Sequence, residues 1–161
     1  MRRTPLRAPL NRQVVRLHAS NWAITLVEPN TMHADTSLAE AALRAYAESF
    51  ARGDIDTVVS FLHVPCIYIR PAGVTVFPDA AAARAGLSTG IEQMRADGYH
   101  HTELVGLASR VLSPDLVAFS GTFVRIGSGD EELNRAGFTY TLRLRERRWM
   151  LVCAIVHDPP A

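Results

Sequence analysis

Leu38, Ala42, Tyr46 and Phe50 recur at every fourth position, with Ala45 and Ser49 beside them. That spacing predicts a helix with one buried face. Ser37-Leu38-Ala39-Glu40 at its start reads as a capping box, in which the Ser and Glu side chains each satisfy a backbone N–H of the first turn. Gly53 predicts the end, because glycine enters the left-handed cap conformation without steric cost. Asp54 then caps a second, short helix whose inward face is Ile55, Val58, Val59 and Leu62. Pro65 predicts its stop, since the residue before a proline is driven out of helical geometry.

Residues 66–70 read as a strand, Pro71-Ala72-Gly73 as a turn and residues 74–77 as the returning strand. Asp79 caps an alanine-rich helix that Gly98 ends, with Ala83, Leu87, Ile91 and Met94 as its inner face and a weak middle at residues 88–90. The last third is strand. Residues 102–112 lead into a turn at Ser113-Pro114-Asp115, residues 116–126 follow, and a glycine-rich hairpin tip spans 127–135. Phe138, Tyr140, Leu142 and Leu144 alternate with Thr139, Thr141, Arg143 and Arg145, so one face is buried and the other wet. A tight turn at 146–148 precedes the last strand, 149–157.

That last strand differs from its neighbour. By period two, Trp149, Leu151, Cys153, Ile155 and His157 share one face, and Met150, Val152, Ala154 and Val156 share the other. Both faces are apolar, which predicts cover on both sides. The helices can cover the concave side. A second copy of the chain, making a homodimer, is the expected cover for the outer side, and residues 1–32 of the same chain are the other candidate.

Helices followed by an unbroken run of strands define an α+β class, a curved antiparallel sheet with three N-terminal helices on one face. Composition narrows the picture further. The chain has 161 residues, 48% apolar and 20% charged, with formal net charge +1. This length suits a single domain that hides roughly 68–70% of its unfolded surface. No run of 18 apolar residues exists, which argues against a membrane span. The near-neutral charge argues against nucleic acid as a partner. Two cysteines, Cys66 and Cys153, do not make a secreted disulfide scaffold, and a cytoplasmic location is expected. Residues 1–32 carry five Arg against one acid, Glu28. Residues 1–34 therefore read as an extension outside the domain of residues 35–161. It is a tail, a transit-type leader or a stretch ahead of a start at Met32.

Tyr46-Ala47-Glu48-Ser49-Phe50-Ala51-Arg52-Gly53-Asp54-Ile55 at the first helix junction, and Arg148-Trp149-Met150-Leu151 opening the last strand, carry a resemblance. Together with the element order over about residues 36–158, they resemble the nuclear transport factor 2-like superfamily, which includes SnoaL-like polyketide cyclases and ketosteroid isomerases. The resemblance implies a cone-shaped, cystatin-like α+β barrel with a pocket at its open end, and pairing through the outer sheet face. It also implies that Cys66 and Cys153 lie on strands that are not side by side, so both are buried thiols.

Tyr46 lies seven residues before Gly53, where ketosteroid isomerases place a tyrosine that donates to a developing oxyanion. Their aspartate base lies seventeen residues after that glycine and before a proline. Here a gapless count reaches Arg70, followed by Pro71. A guanidinium cannot abstract a proton, but its fork can clamp a carboxylate or enolate. His63 and His157 are the remaining candidate bases. His63 is placed at the end of the second helix, either at the pocket mouth or capping terminal carbonyls. His100 and His101 are adjacent, which on a strand sends them to opposite faces. His63 and Cys66 supply two metal-type ligands with no second pair nearby, so no metal or other cofactor is expected.

The expected function is an uncharacterised SnoaL-like domain binding a small apolar or carbonyl-containing molecule. Its pocket would be lined by Tyr46, Phe50, Tyr68, Arg70, Tyr140 and Trp149. One alternative is a cofactor-free cyclase, isomerase or dehydratase with Tyr46 as donor and His63 or His157 as base. The other is a dimeric scaffold whose cone is filled by its own side chains.

Overall fold

The computed structural model describes residues 36–159. The expectations for residues 1–34 lie outside them. Helix α1 spans Ser37–Arg52 and buries Ala39, Leu43, Tyr46 and Ser49. Leu38 is 71% exposed. A four-residue spacing advances about 40° past a full turn at each step, so a row that is buried at Tyr46 has rotated into solvent two steps earlier. The capping box does not form either. Thr36 is the N-cap and makes no side-chain cap bond. Glu40 turns instead to Arg44, whose guanidinium donates to it at 2.7 Å. Gly53 closes the helix in the left-handed conformation (φ 68°), and the Arg95 side chain packs where a Cβ would stand.

Asp54 starts α2 (Ile55–Ser60), accepting from the Thr57 backbone N–H at 3.1 Å and from its hydroxyl at 2.6 Å. The helix ends before Leu62. Strand β1 (Leu62–Arg70) takes up Leu62, His63 and Pro65, so proline does not stop the helix, and His63 is a strand residue rather than a helix cap. Pro65, preceded by a cis bond, sits where the β1–β6 register breaks between Leu62 and Ile67. Such a break tolerates a residue with no N–H to donate. After β2 (Gly73–Phe77), Asp79 caps α3 (Ala80–Ala96) by accepting from Ala82 N–H. Ala83, Leu87 and Ile91 form the buried face of α3, and its middle is continuous.

Four long strands complete the chain: β3 (Tyr99–Ser113), β4 (Leu116–Gly127), β5 (Glu132–Arg145) and β6 (Arg148–His157). Strand β5 begins six residues earlier than its apolar alternation does. Its polar start is drawn into the sheet by pairing with β4, as in Arg125 opposite Asn134. The sheet order is β2-β1-β6-β5-β4-β3. All pairs are antiparallel except β1 with β6, which run parallel, so the expected all-antiparallel sheet is in fact mixed. Helix α3 carries the chain from β2 to the far edge, and the meander returns β6 beside β1. The sheet stays open, with β2 and β3 as edges, so the α+β cone is not a closed barrel. A mixed sheet bent over α1 and α3 is the architecture.

One irregularity sets which residues face the helices. Cys153 pairs with Thr141, but Leu151 pairs with the next residue of β5, Leu142. Val152 is therefore an extra residue, a β-bulge that inverts the alternation of β6. Trp149 and Leu151 face inward with Leu144 and Leu142. Beyond the bulge, Ala154 and Val156 face inward with Tyr140 and Phe138, and Cys153, Ile155 and His157 turn outward. Strict period two places those three beside Trp149. The bulge overturns that.

Candidate functional site

Inward positions near the open end of the sheet combine with one face each of α1 and α3 to line a cavity of about 360 Å³. Strand β1 contributes Tyr68 and Arg70, β4 contributes Phe123 and Arg125, and β5 contributes Phe138 and Tyr140. Thr102 and Leu104 of β3 and Val156 of β6 continue the wall. Tyr46 and Phe50 reach in from α1, Ile91 and Met94 from α3. Gly86 and Gly90 of α3 also border the space, and at Gly90 nothing lies within 4 Å of where a Cβ would be.

The Tyr46 and Tyr68 hydroxyls meet at 2.5 Å in the buried wall. The Tyr46 ring stands edge-on to Phe50, with centroids 5.0 Å apart. Burial pushes the Tyr46 phenol well above its ordinary value, and the neighbouring phenols of Tyr68 and Tyr140 add to this. Burial likewise raises Tyr68. Tyr140 is pushed up to about 12 by burial, against the opposing pull of the positive Arg125 and Arg70. All three phenols are therefore neutral donors at ordinary pH.

Two cations share this wall. Arg70 is exposed at the rim, its guanidinium 5.2 Å from the centroid of the Tyr68 ring. Arg125 is half-buried, with its guanidinium 5.0 Å from the centroid of Phe123. Burial lowers the Arg125 pKa, and the positive Arg70 adds to that.

Of the residues singled out from the sequence, Tyr46, Phe50, Tyr68, Arg70 and Tyr140 come together around the cavity. Trp149 does not. It faces inward at the closed end, packed near Phe61, Leu142 and Leu151. Neither His63 nor His157 lines the cavity. The His157 ring lies over Gly137 on the outer face, its Nδ1 2.6 Å from the Asp158 carbonyl. His100 and His101 do not diverge as a regular strand would make them. The register shifts between Tyr99 and His101, and their Nδ1 atoms meet at 3.0 Å. No group of three or more metal-ligating side chains occurs among the described residues. Cys66 and Cys153 prove to be on adjacent strands, with Ile67 opposite Cys153. They remain free thiols because Cys66 points inward and Cys153 outward, and burial pushes Cys66 up to about 12.

Arg125, Tyr99 and Thr102 also line the wall, three residues not among those expected there from the sequence. For Arg125 the signal was present. It keeps the phase of Val117, Phe119 and Phe123, all buried, along β4.

The family model described as "NTF2-like protein (DUF6841)" matches residues 34–159. The chain belongs to this family of NTF2-like proteins. No curated protein matches the sequence. Solved structures share the fold. An NTF2-like protein with a cystatin-like fold from Novosphingobium aromaticivorans superimposes with a TM-score of 0.65 at 17% identity, covering 77% of this chain and 81% of that one. A domain of unknown function with a cystatin-like fold from Nostoc punctiforme gives 0.63 at 16%, covering 81% of each chain. An NTF-2 like protein of unknown function from Shewanella oneidensis gives 0.62 at 15%, covering 76% of this chain and 98% of that one.

Proposed function

We propose that the protein binds a small apolar or carbonyl-containing molecule in the cone. The cavity of about 360 Å³ carries this reading, with its apolar wall interrupted by a few oriented donors. Ligand sites typically combine a volume of roughly 300–1,000 Å³ with that mixture of surfaces. A scaffold whose cone was filled by its own side chains would leave no such space. Titration with acetophenone, followed by amide NMR, tests the reading. Shifts confined to Phe50, Ile91, Met94 and Tyr140 support it, and a spectrum unchanged by millimolar acetophenone, benzamide and benzoate sinks it.

The cyclase, isomerase or dehydratase alternative has Tyr46 in its favour, an oriented hydroxyl in the wall. It also needs a base. The described residues lining the cavity include no Asp, Glu or His, and the position expected for the base carries Arg70. Binding without proton abstraction is the better supported reading.

We also infer homodimer formation through the outer sheet face. Register places Val76, Ile67 and Cys153 in one outward row across β2, β1 and β6, and Val74, Ile69 and Ile155 in the next. Val74 and Val76 are 65% and 54% exposed. Contiguous apolar surface of this kind marks association sites. Two free cysteines suit a reducing compartment such as the cytoplasm. No helix among the described residues is long and apolar enough to cross a membrane.

A further inference from the structure

Arg44, Arg52, Arg84, Arg135 and Arg143 each meet a carboxylate. Arg70 and Arg125 do not meet one among the described residues, nor do Arg95, Arg110, Arg145, Arg147 and Arg148, but of these seven Arg70 and Arg125 are the two that border the cavity. Strand directions put them toward the same end of it. Strand β1 runs parallel to β6, β6 antiparallel to β5, and β5 antiparallel to β4, so β1 and β4 point the same way. Arg70 is the last residue of β1, and Arg125 is two residues from the end of β4.

A half-buried guanidinium without a counter-ion is costly, and stacking over Phe123 offsets only part of that. A second unpaired cation nearby raises the cost through like-charge repulsion. No acid among the described residues of the cavity wall relieves it. The Tyr140 hydroxyl, near enough to feel both charges, makes no hydrogen bond to another described residue, and its side chain borders the same space. The open end of the cavity therefore gathers positive charge and donors, whereas Phe50, Ile91 and Met94 keep its remaining wall apolar. An organic anion satisfies both halves.

We propose that the ligand is a small carboxylate with an aromatic or alicyclic body, its carboxylate held by Arg125 and Arg70 and its body packed against Phe50, Ile91 and Met94. This rests on the cavity being a ligand site and adds the charge of the ligand. The guanidinium fork offers paired N–H groups to both carboxylate oxygens, and Tyr140 can supply a third donor. Arg125, the less solvated of the two, carries more of the affinity. Arg70 at the rim attracts and orients.

Calorimetric titration of the wild-type chain with benzoate, benzamide and acetophenone tests this. Benzoate is expected to bind about tenfold or more tighter than benzamide, the gain of hydrogen bonds to charged groups over neutral ones. Its affinity should fall as salt rises, and that of benzamide should not. Arg125→Gln should remove the preference for benzoate, and Arg70→Gln should reduce it in part. Equal binding of benzoate and benzamide to the wild type would overturn the proposal, even if neither variant folds. So would undiminished benzoate binding by a folded Arg125→Gln variant. Acetophenone binding in either case would leave the cavity reading intact. Failure of all three compounds would remove that reading and this proposal together.

Discussion

The Tyr46 and Tyr68 hydroxyls sit 2.5 Å apart in the buried wall, one from α1 and the other from β1. Each is the partner that makes burial of the other tolerable. Tyr68→Phe should cost about 1–3 kcal/mol, because it strands a buried hydroxyl. The Tyr46→Phe, Tyr68→Phe double variant should lose less than the sum of the single losses, with a coupling of about 0.5–3 kcal/mol. Urea unfolding of the four proteins measures this. Strict additivity would mean that the two hydroxyls do not form a unit.

Gly86 and Gly90 lie one helical turn apart on α3 but face different surroundings. A Cβ at Gly90 would meet nothing, so Gly90→Ala should stabilise the helix by about 0.5–1 kcal/mol. A Cβ at Gly86 would stand 2.8 Å from the buried Phe77 ring. Gly86→Ala should therefore melt below Gly90→Ala, since overpacking costs about 1–3 kcal/mol. Gly90→Phe should fold and fill part of the cavity, lowering ketone affinity. Thermal melts and the NMR titration check these outcomes, and equal melting of the two alanine variants would contradict the packing.

Alkaline pH should unfold the protein through its wall. Tyr46, Tyr68 and Tyr140 have folded pKa values raised above the ordinary 10.0 by burial. Below that value both states keep these protons, and the contribution of the phenols to stability is complete. Above it the unfolded chain has released protons that the folded chain retains, so stability falls as pH rises. For Tyr140 the loss runs from about 10 to about 12. Urea midpoints measured at intervals between about pH 9 and pH 11 should decline, and Tyr140→Phe should make the decline shallower. A slope unchanged by that substitution would show that Tyr140 titrates freely in the folded protein.

Much of this fold could be read from the chain because each element carries its own local signal. Asp54 and Asp79 cap helices, Gly53 ends one, and the alternation from Phe138 to Leu144 fixes the inner face of β5. What could not be read comes from partners distant in sequence. Val152 has no local mark as an extra residue, and pairing with β5 alone makes it a bulge. That single insertion moved His157 to the outer face. Pro65 looked like a helix stop because its place at a register break depends on β6, more than eighty residues away. Tyr46, Phe50, Tyr68 and Tyr140 are recoverable because alternation or helical spacing puts them in phase with the core, and Arg70 because it stands where the resemblance places a base. Arg125 obeys the same phase, but arginine normally marks a wet face, so its residue type hides its place in the wall.

The outer face should hold two copies together. Ile67→Glu with Val76→Glu puts two charges into adjacent outward positions of one row, and neither side chain enters the core. Light scattering on a sizing column should give a dimer for the wild type and a folded monomer for the double variant. A wild type that stays monomeric at high concentration would leave this face without the proposed partner.

The occupied cone itself can be observed in crystals grown with 4-bromoacetophenone. Anomalous scattering locates bromine without reference to the surrounding side chains. The account predicts a bromine peak inside the cavity, in contact with Phe50, Ile91 or Met94. A well-ordered structure with no peak there, or with bromine only on the outer sheet face, would contradict it.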